Sequence, residues 1–261
     1  MDLGFSGKIV AVTGASKGIG FACAEAFARE GAKVALVSRS ASNLEAALAR
    51  LKDVPQVPIL CVADLIRAEE AARMADEIES ALGPIDVLVN SAGAARRYAP
   101  DDLDAAAWHA AMDAKYFSYI HPIAAVLPRM AARGHGTIVN IIGSGGKVAS
   151  PMHLPGGAAN AALMLATTGL AAAFAPKGIR INGINPGSTL TGRVQEALSV
   201  EAKMTGLPDK VLLERMQAKI PLGRLGTPEE VAQVTLFLAS THASYVTGAI
   251  LPMDGGANAV I

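Results

Sequence analysis

Thr13-Gly14-Ala15-Ser16-Lys17-Gly18-Ile19-Gly20 follows a short apolar run, Lys8-Ile9-Val10-Ala11-Val12. It precedes residues 21–30, an Ala- and Glu-rich stretch with apolar residues at helical spacing. The apolar run reads as a strand buried on both faces. Strand, glycine turn and helix N-terminus in that order make an anion site. Small residues let the backbone approach a ligand, and free N–H groups with the helix dipole attract negative charge. Three glycines can be merely structural, but here strand and helix stand where pyrophosphate binding needs them. The stretch predicts a dinucleotide site with Gly14, Ser16, Lys17, Gly18, Ile19 and Gly20 around the phosphates.

Outward from this turn, strand and helix patterns alternate to the end of the chain. Further strands are expected at 34–37, 57–62, 85–90, 137–142, 179–184 and 249–252. Helices are expected at 44–51, 68–82, 104–133, 193–219 and 228–239, with Pro122 and Pro128 bending or ending the long one. Strands apolar on both faces and separated by helices imply one α/β domain over 1–261. Its expected form is a Rossmann-type, doubly wound parallel sheet of about seven strands with helices on both faces. Ligands of such sheets bind beyond the carboxyl ends of the strands, here 14–20, Ser38-Arg39, Asp64, 90–97, 143–157 and 186–191.

Composition narrows the function classes. A hydrophobic content of 51% over 261 residues supports a sizeable core, and a formal net charge of zero gives no sign of nucleic-acid or membrane-surface binding. Cys23 and Cys61 fall within an expected helix and strand and read as buried reduced thiols, which suits a cytoplasmic protein. Met1-Asp2-Leu3-Gly4 has no basic region leading into an apolar stretch, so a secretory signal is not expected. The uncharged stretch 158–175 could be mistaken for a membrane span. Its Ala, Thr and Gly content points instead to a helix buried all round, against the sheet and a second subunit.

Ser38 and Arg39 close the second strand, where NAD sites often place a carboxylate for the ribose 2′-hydroxyl. A hydroxyl, a guanidinium and the nearby Lys17 ammonium suit a 2′-phosphate, so NADP(H) is expected over NAD(H). The alternative is that Arg39 and Lys17 are solvated surface charges.

The pattern resembles the short-chain dehydrogenase/reductase superfamily over nearly the whole chain, and most of all its β-ketoacyl-carrier-protein-reductase-like members. The glycine turn is similar to the family's cofactor turn. Asp64, followed by Leu65, matches the acid at the adenine, and Asn90-Ser91-Ala92-Gly93 matches the element that steadies the sheet. Pro186-Gly187 with Thr189 and Thr191 resembles the loop over the nicotinamide, and Asp254-Gly255-Gly256 the C-terminal signature. By the same resemblance, 158–175 and 104–133 correspond to the pair forming the family's dimer interface. A homotetramer or homodimer is therefore expected.

The catalytic tetrad departs from that pattern. The family's Tyr-x-x-x-Lys falls on Gly156-Gly157-Ala158-Ala159-Asn160, its serine on Gly143 beside Ser144, and its asparagine on Lys115. In the family the tyrosine exchanges a proton with the substrate oxygen, the lysine lowers the phenol's pKa, and the serine orients the oxygen. General-acid help alone is typically worth about two to four powers of ten. The Asn and Lys positions look exchanged, so Lys115 could return an ammonium from the opposite helix, with Asn160 at the old lysine position. Alternatively, Lys115 reaches solvent or pairs with Asp113. His153 is a second possible proton carrier or an exposed loop histidine. Arg96, Arg97 and Tyr98 could meet an acidic small-molecule substrate or form a solvated loop. Trp108 and Phe117 read as packing residues, and His121 as structural. No metal-ligand cluster and no Ser-His-Asp arrangement is read from the sequence.

Three functions stay open at this point. One is an NADP(H)-dependent oxidoreductase interconverting a carbonyl and an alcohol with an unusual proton donor. Another is a non-redox lyase, isomerase or hydratase, and the third a non-catalytic NADP(H)-binding sensor or partner subunit.

Overall fold

The computed structural model describes residues 2–93 and 96–258. β1 (Ile9–Thr13) enters α1 (Gly18–Arg29) through the glycine turn. The alternation continues through β2 (Lys33–Ser38), α2 (Ala41–Leu48), β3 (Ile59–Val62), α3 (Ala68–Leu82) and β4 (Val87–Asn90). The chain then forms α4 (Ala105–Ala111), a π-helical segment (Met112–Phe117), α5 (Ser118–Arg133), β5 (Gly136–Ile141), α6 (Leu154–Phe174) and β6 (Ile179–Pro186). It ends in α7 (Gly192–Thr205), α8 (Asp209–Gln217), α9 (Pro228–Ala239) and β7 (Ile250–Met253).

Among the described residues the strands form one parallel sheet in the order β3-β2-β1-β4-β5-β6-β7. Successive residues of a strand face opposite sides, so β1 serves two cores at once. Val10 and Val12 pack with Phe27, Leu36 and Leu236 on the α1 and α9 side. Ile9 and Ala11 pack with Met74, Ile78, Leu88 and Met130 on the α3 and α5 side. The strand order reverses between β1 and β4, which opens a crevice at their carboxyl ends.

Three polar ties hold that rim. The Thr13 hydroxyl accepts from the N–H groups of Ser91 and Ala92, at 3.0 and 3.2 Å, joining β1 to the loop after β4. Asn90 Nδ2 donates to Asn140 Oδ1 at 2.9 Å, and Asn140 Nδ2 donates to Thr167 Oγ1 at 2.9 Å, so β4, β5 and α6 share one buried chain. Gly93 (φ +88°) abuts the π segment so closely that a Cβ there would lie 1.8 Å from the Ala114 carbonyl. Ser118 Oγ donates to that carbonyl at 3.0 Å, giving the loosened turn a local partner.

Several sequence expectations are corrected. Neither Pro122 nor Pro128 ends α5. Each removes one backbone donor, and burial of Pro122 among its neighbours outweighs a single lost bond. The interruption lies earlier, in the π segment. The helix expected over 193–219 divides at Gly206, left-handed at φ +70°, and Pro208. Within the single chain the helix expected at 158–175 is buried on one side only. α6 buries one stripe (Ala159, Asn160, Leu163, Thr167 and Ala171) and exposes another, including Leu165. With its flanking turns it is long and apolar enough to cross a membrane by length and composition, but its buried stripe is spent on the sheet. Trp108 and Phe117 remain 40% and 37% exposed, because their helix face has no layer of this chain above it. His121 does act structurally, its Nδ1 3.1 Å from the Leu65 carbonyl. Cys23 and Cys61 are buried and unbridged, and burial pushes both thiols up to about 12.

The Asn90–Asn140–Thr167 chain yields a stability test. Asn140→Ala strands buried groups on both neighbours and is expected to cost about 2–3 kcal/mol. That corresponds to a fall in Tm of roughly 4–12 °C in a thermal scan. Thr167→Val keeps the shape and is expected to cost about 1 kcal/mol.

Candidate active site

The rim divides into a nucleotide cradle and a reaction end. At the cradle, α1 begins at Gly18 behind Lys17, which is extended and makes no side-chain cap, and no acidic residue occupies the first turn. The first helical N–H groups therefore face the crevice with the positive end of the dipole. The loop after β6 reaches this turn: a Cβ on Gly18 would lie 3.6 Å from the Thr191 methyl. Ser38 Oγ donates to Ser16 Oγ at 3.3 Å, while Lys17 and Arg39 are exposed. Asp64 Oδ1 accepts from the Ile66 N–H at 3.4 Å, and Leu65 beneath it is buried. Asn90, Ala92 and Gly93 line the crevice through the contacts described above. Thr189 Oγ1 donates to the Gly187 carbonyl at 3.2 Å, and Gly187 N–H to the Met253 carbonyl at 3.0 Å, fixing the loop that starts at Pro186. An uncapped helix N-terminus, two hydroxyls and two cations at the end of β2, without a carboxylate there, fit a dinucleotide bearing a 2′-phosphate.

At the reaction end the backbone closely approaches itself. Gly143 follows β5 with φ +130° and ψ 146°, and its N–H donates to Asn185 Oδ1 at 3.4 Å. A Cβ on Gly146 would lie 2.7 Å from the Ala161 nitrogen, and one on Gly157 would lie 2.8 Å from the Gly145 carbonyl. The glycine-rich loop is thus seated flush on the first turns of α6. Gly156 is buried in the first of those turns. Neither Gly143 nor Gly156 brings a side-chain proton donor.

Lys115 does not reach out to solvent. It is 8% exposed, and its Nζ donates to the Tyr119 hydroxyl at 2.8 Å and to the Ile141 carbonyl at 3.2 Å. Ile141 ends β5, so the ammonium sits at the foot of the loop that begins at Gly143. Asn160, 5% exposed, lies on the other side of that loop. A Cβ on Gly143 would be 3.2 Å from Asn160 Nδ2, while Asn160 Oδ1 is buried with no hydrogen-bond partner among the described residues.

His153 is half-buried rather than exposed, with its ring beside Gly145, and Ser144 forms one turn with Gly145 and Gly146. Tyr98 N–H donates to the Met152 carbonyl at 3.2 Å, which brings the loop after β4 against the His153 turn. Arg96 lies 5.7 Å from the Tyr98 ring centroid, and both Arg96 and Arg97 are exposed. Residues 94 and 95 of the predicted 90–97 segment lie outside the described residues.

Sequence reasoning missed Tyr119 and Asn185. Tyr119 carried a signal, its spacing of four from Lys115, whereas Asn185 carried none. A separate cavity of about 200 Å³ lies under the loop after β6, lined by Ser188, Thr189, Arg224, Glu230 and Asp254. The Arg224 guanidinium, 2.6 Å from the Glu230 carboxylate, holds that carboxyl down at about 2. Of the predicted site residues only Thr189 borders this cavity, so it is distinct from the reaction end.

Gly143→Ser forces a side chain into a left-handed conformation and against Asn160. The expected cost is about 1–2 kcal/mol, read as a fall in Tm of roughly 2–8 °C. A variant as stable as the parent would contradict this account of the loop.

The chain is similar to known proteins over nearly its whole length. Residues 14–258 match the family model described as enoyl-(acyl carrier protein) reductase. The chain is 36% identical over 254 residues to 2-(S)-hydroxypropyl-CoM dehydrogenase 3 of Xanthobacter autotrophicus, covering 97% of each chain. It is 34% identical over 251 residues to the 3-oxoacyl-(acyl-carrier-protein) reductase of Thermotoga maritima, covering 96% of this chain and 97% of the other. Among solved structures it is similar to an NADPH-bound short-chain oxidoreductase from Pseudomonas aeruginosa PAO1, described as containing an atypical catalytic center. The TM-score is 0.88 at 33% identity, over 97% of this chain and 98% of that one.

Proposed function

The chain belongs to the short-chain dehydrogenase/reductase superfamily, and from that premise we propose that it is an NADP(H)-dependent oxidoreductase interconverting a carbonyl and an alcohol, with Lys115 as proton donor. One observation carries the reading. A buried ammonium is held at the end of β5, at the foot of the loop on which the family's serine would stand. The similar short-chain oxidoreductase from Pseudomonas aeruginosa, NADPH-bound and described as containing an atypical catalytic center, supports this reading.

The bound nicotinamide supplies or accepts the hydride at the carbonyl carbon. In reduction, Lys115 gives one N–H proton to the carbonyl oxygen, which becomes the alcohol hydroxyl. The neutral amine left on Lys115 regains its proton from solvent. Asn160 offers an amide donor and a vacant acceptor across the Gly143 loop, suited to orienting a hydroxyl or amide of the reactants. His153 stands nearer the rim and suits proton passage to solvent. Gly14, Ser16, Lys17, Gly18, Ile19, Gly20, Ser38 and Arg39 would hold the phosphates, with Thr191 closing over them. The exposed Arg96 and Arg97 beside Tyr98 favour a small-molecule substrate with an acidic group.

The exposed stripe of α6, including Ala158, Ala161, Leu165, Gly169 and Ala172, is suited to a second copy of the chain, giving a homodimer or homotetramer. Two buried reduced thiols suit the cytoplasm.

Titration with NADPH and NADH, read by nicotinamide fluorescence, is expected to favour NADPH by about tenfold or more. Arg39→Ala should remove most of that preference while sparing NADH. Against a carbonyl panel followed by nicotinamide absorbance, Lys115→Met is expected to lower kcat by about 10²–10⁴. Conversion without absorbance change would point to a non-redox enzyme. Tight binding with no turnover would point to a sensor, and equal turnover in Lys115→Met would refute the donor assignment.

A further inference from the structure

Lys115 and Tyr119 stand four residues apart, one in the last turn of the π segment and the other in the first turn of α5. That spacing puts both on one face. Their order, Lys-x-x-x-Tyr, is the reverse of the family's Tyr-x-x-x-Lys, and they lie on the helix opposite the one carrying Gly156 and Asn160. Tyr119 is completely buried among Ile142 and Leu163. Its hydroxyl donates to the Ile141 carbonyl and accepts from Lys115 Nζ at 2.8 Å, while Nζ also donates to the same carbonyl at 3.2 Å. The ammonium lies 4.4 Å from the centroid of the Tyr119 ring. Ammonium, phenol and carbonyl therefore close a three-point hydrogen-bonded ring at the end of β5.

We propose that Tyr119 is a positioning residue: its hydroxyl and the Ile141 carbonyl form a seat that fixes the Lys115 ammonium and sets the pH at which it gives up its proton. The inference rests on Lys115 being the proton donor. A lysine ammonium rotates freely on a four-carbon stem and carries three donors. Two fixed acceptors remove that freedom and decide where the remaining N–H points. The phenol proton is directed at a main-chain carbonyl, which leaves the ammonium as the group that transfers. A hydroxyl oxygen that accepts from an ammonium favours the charged form, so losing it makes the proton easier to lose.

α6, β5 and β7, which adjoin the pair, contain no titratable side chain within Leu154–Phe174, Gly136–Ile141 or Ile250–Met253. Asp113 in the π segment and Lys147 in the loop after β5 are exposed. Tyr116 packs beside Tyr119, and His153 is half-buried beyond Gly145.

The test uses full-length protein labelled with [13Cε,15Nζ]lysine, the Lys115 signal being assigned by its loss in Lys115→Met. Tyr119→Phe keeps the ring and removes only the hydroxyl. Its Lys115 titration midpoint is expected to fall by about one pH unit. The high-pH limb of NADPH-dependent reduction, with ethyl acetoacetate as probe, should move with it. An unchanged midpoint overturns the proposal, whether or not that probe is turned over. If turnover requires Lys115 but Tyr119→Phe leaves midpoint and limb in place, only the role of Tyr119 fails. If Lys115→Met retains full turnover, the donor assignment fails and this inference with it. Should Tyr119→Phe not fold, [13Cζ]tyrosine labelling leaves Tyr119 intact. The Tyr119 signal is then expected to shift in Lys115→Met, and an unmoved signal overturns the proposal.

Discussion

Seven strands run in one direction, so their carboxyl ends collect at a single rim, and every loop that leaves a strand there must share it. This constraint organises the molecule. Strands buried on both faces admit polar side chains only where these find partners, and most stand near the strand ends. Thr13, Asn90 and Asn140 stand at or near those ends, and their hydrogen bonds lock neighbouring strands in register. The rim is rigid because these ties are buried, and a rigid rim can hold two chemically different halves side by side.

At the reaction half, glycines let the backbone pack closely against itself. Gly143 adopts a left-handed conformation, and the loop it begins lies against α6 at distances that exclude a Cβ at Gly146 and Gly157. Glycines here are part of the packing. Lys115 is buried at the end of β5, where a phenol and a carbonyl accept from its ammonium.

The periodicity of the sequence was enough for the sheet and for most helices, because buried parallel strands leave continuous apolar runs. It failed where tertiary contacts override local rules. Pro122 predicted a break that packing suppressed, and the π segment arose from close contact with Gly93, which no periodicity reports. The apolar α6 read as fully buried because composition cannot tell a face covered by the same chain from one left open. At the site, the glycine turn, Ser38 and Arg39 were legible from type and position. Lys115 was singled out by its position, but not its depth, since a lysine on a helix can equally reach solvent. Asn185 was invisible because its partner is a backbone N–H brought close only by folding.

The π segment also sets the phase of everything that follows it. A turn closed by i→i+5 bonds lodges one more residue than an α-turn. Side chains beyond it are therefore set back by about 100° relative to an unbroken helix. That offset keeps the buried faces of α4 and α5 on one side: Ala107 and Ala111 before the segment, and Tyr119, Ile123 and Val126 beyond it, are buried. Relaxing the segment to α-geometry at the same length would turn the buried face of α5 by about 100° away from that of α4.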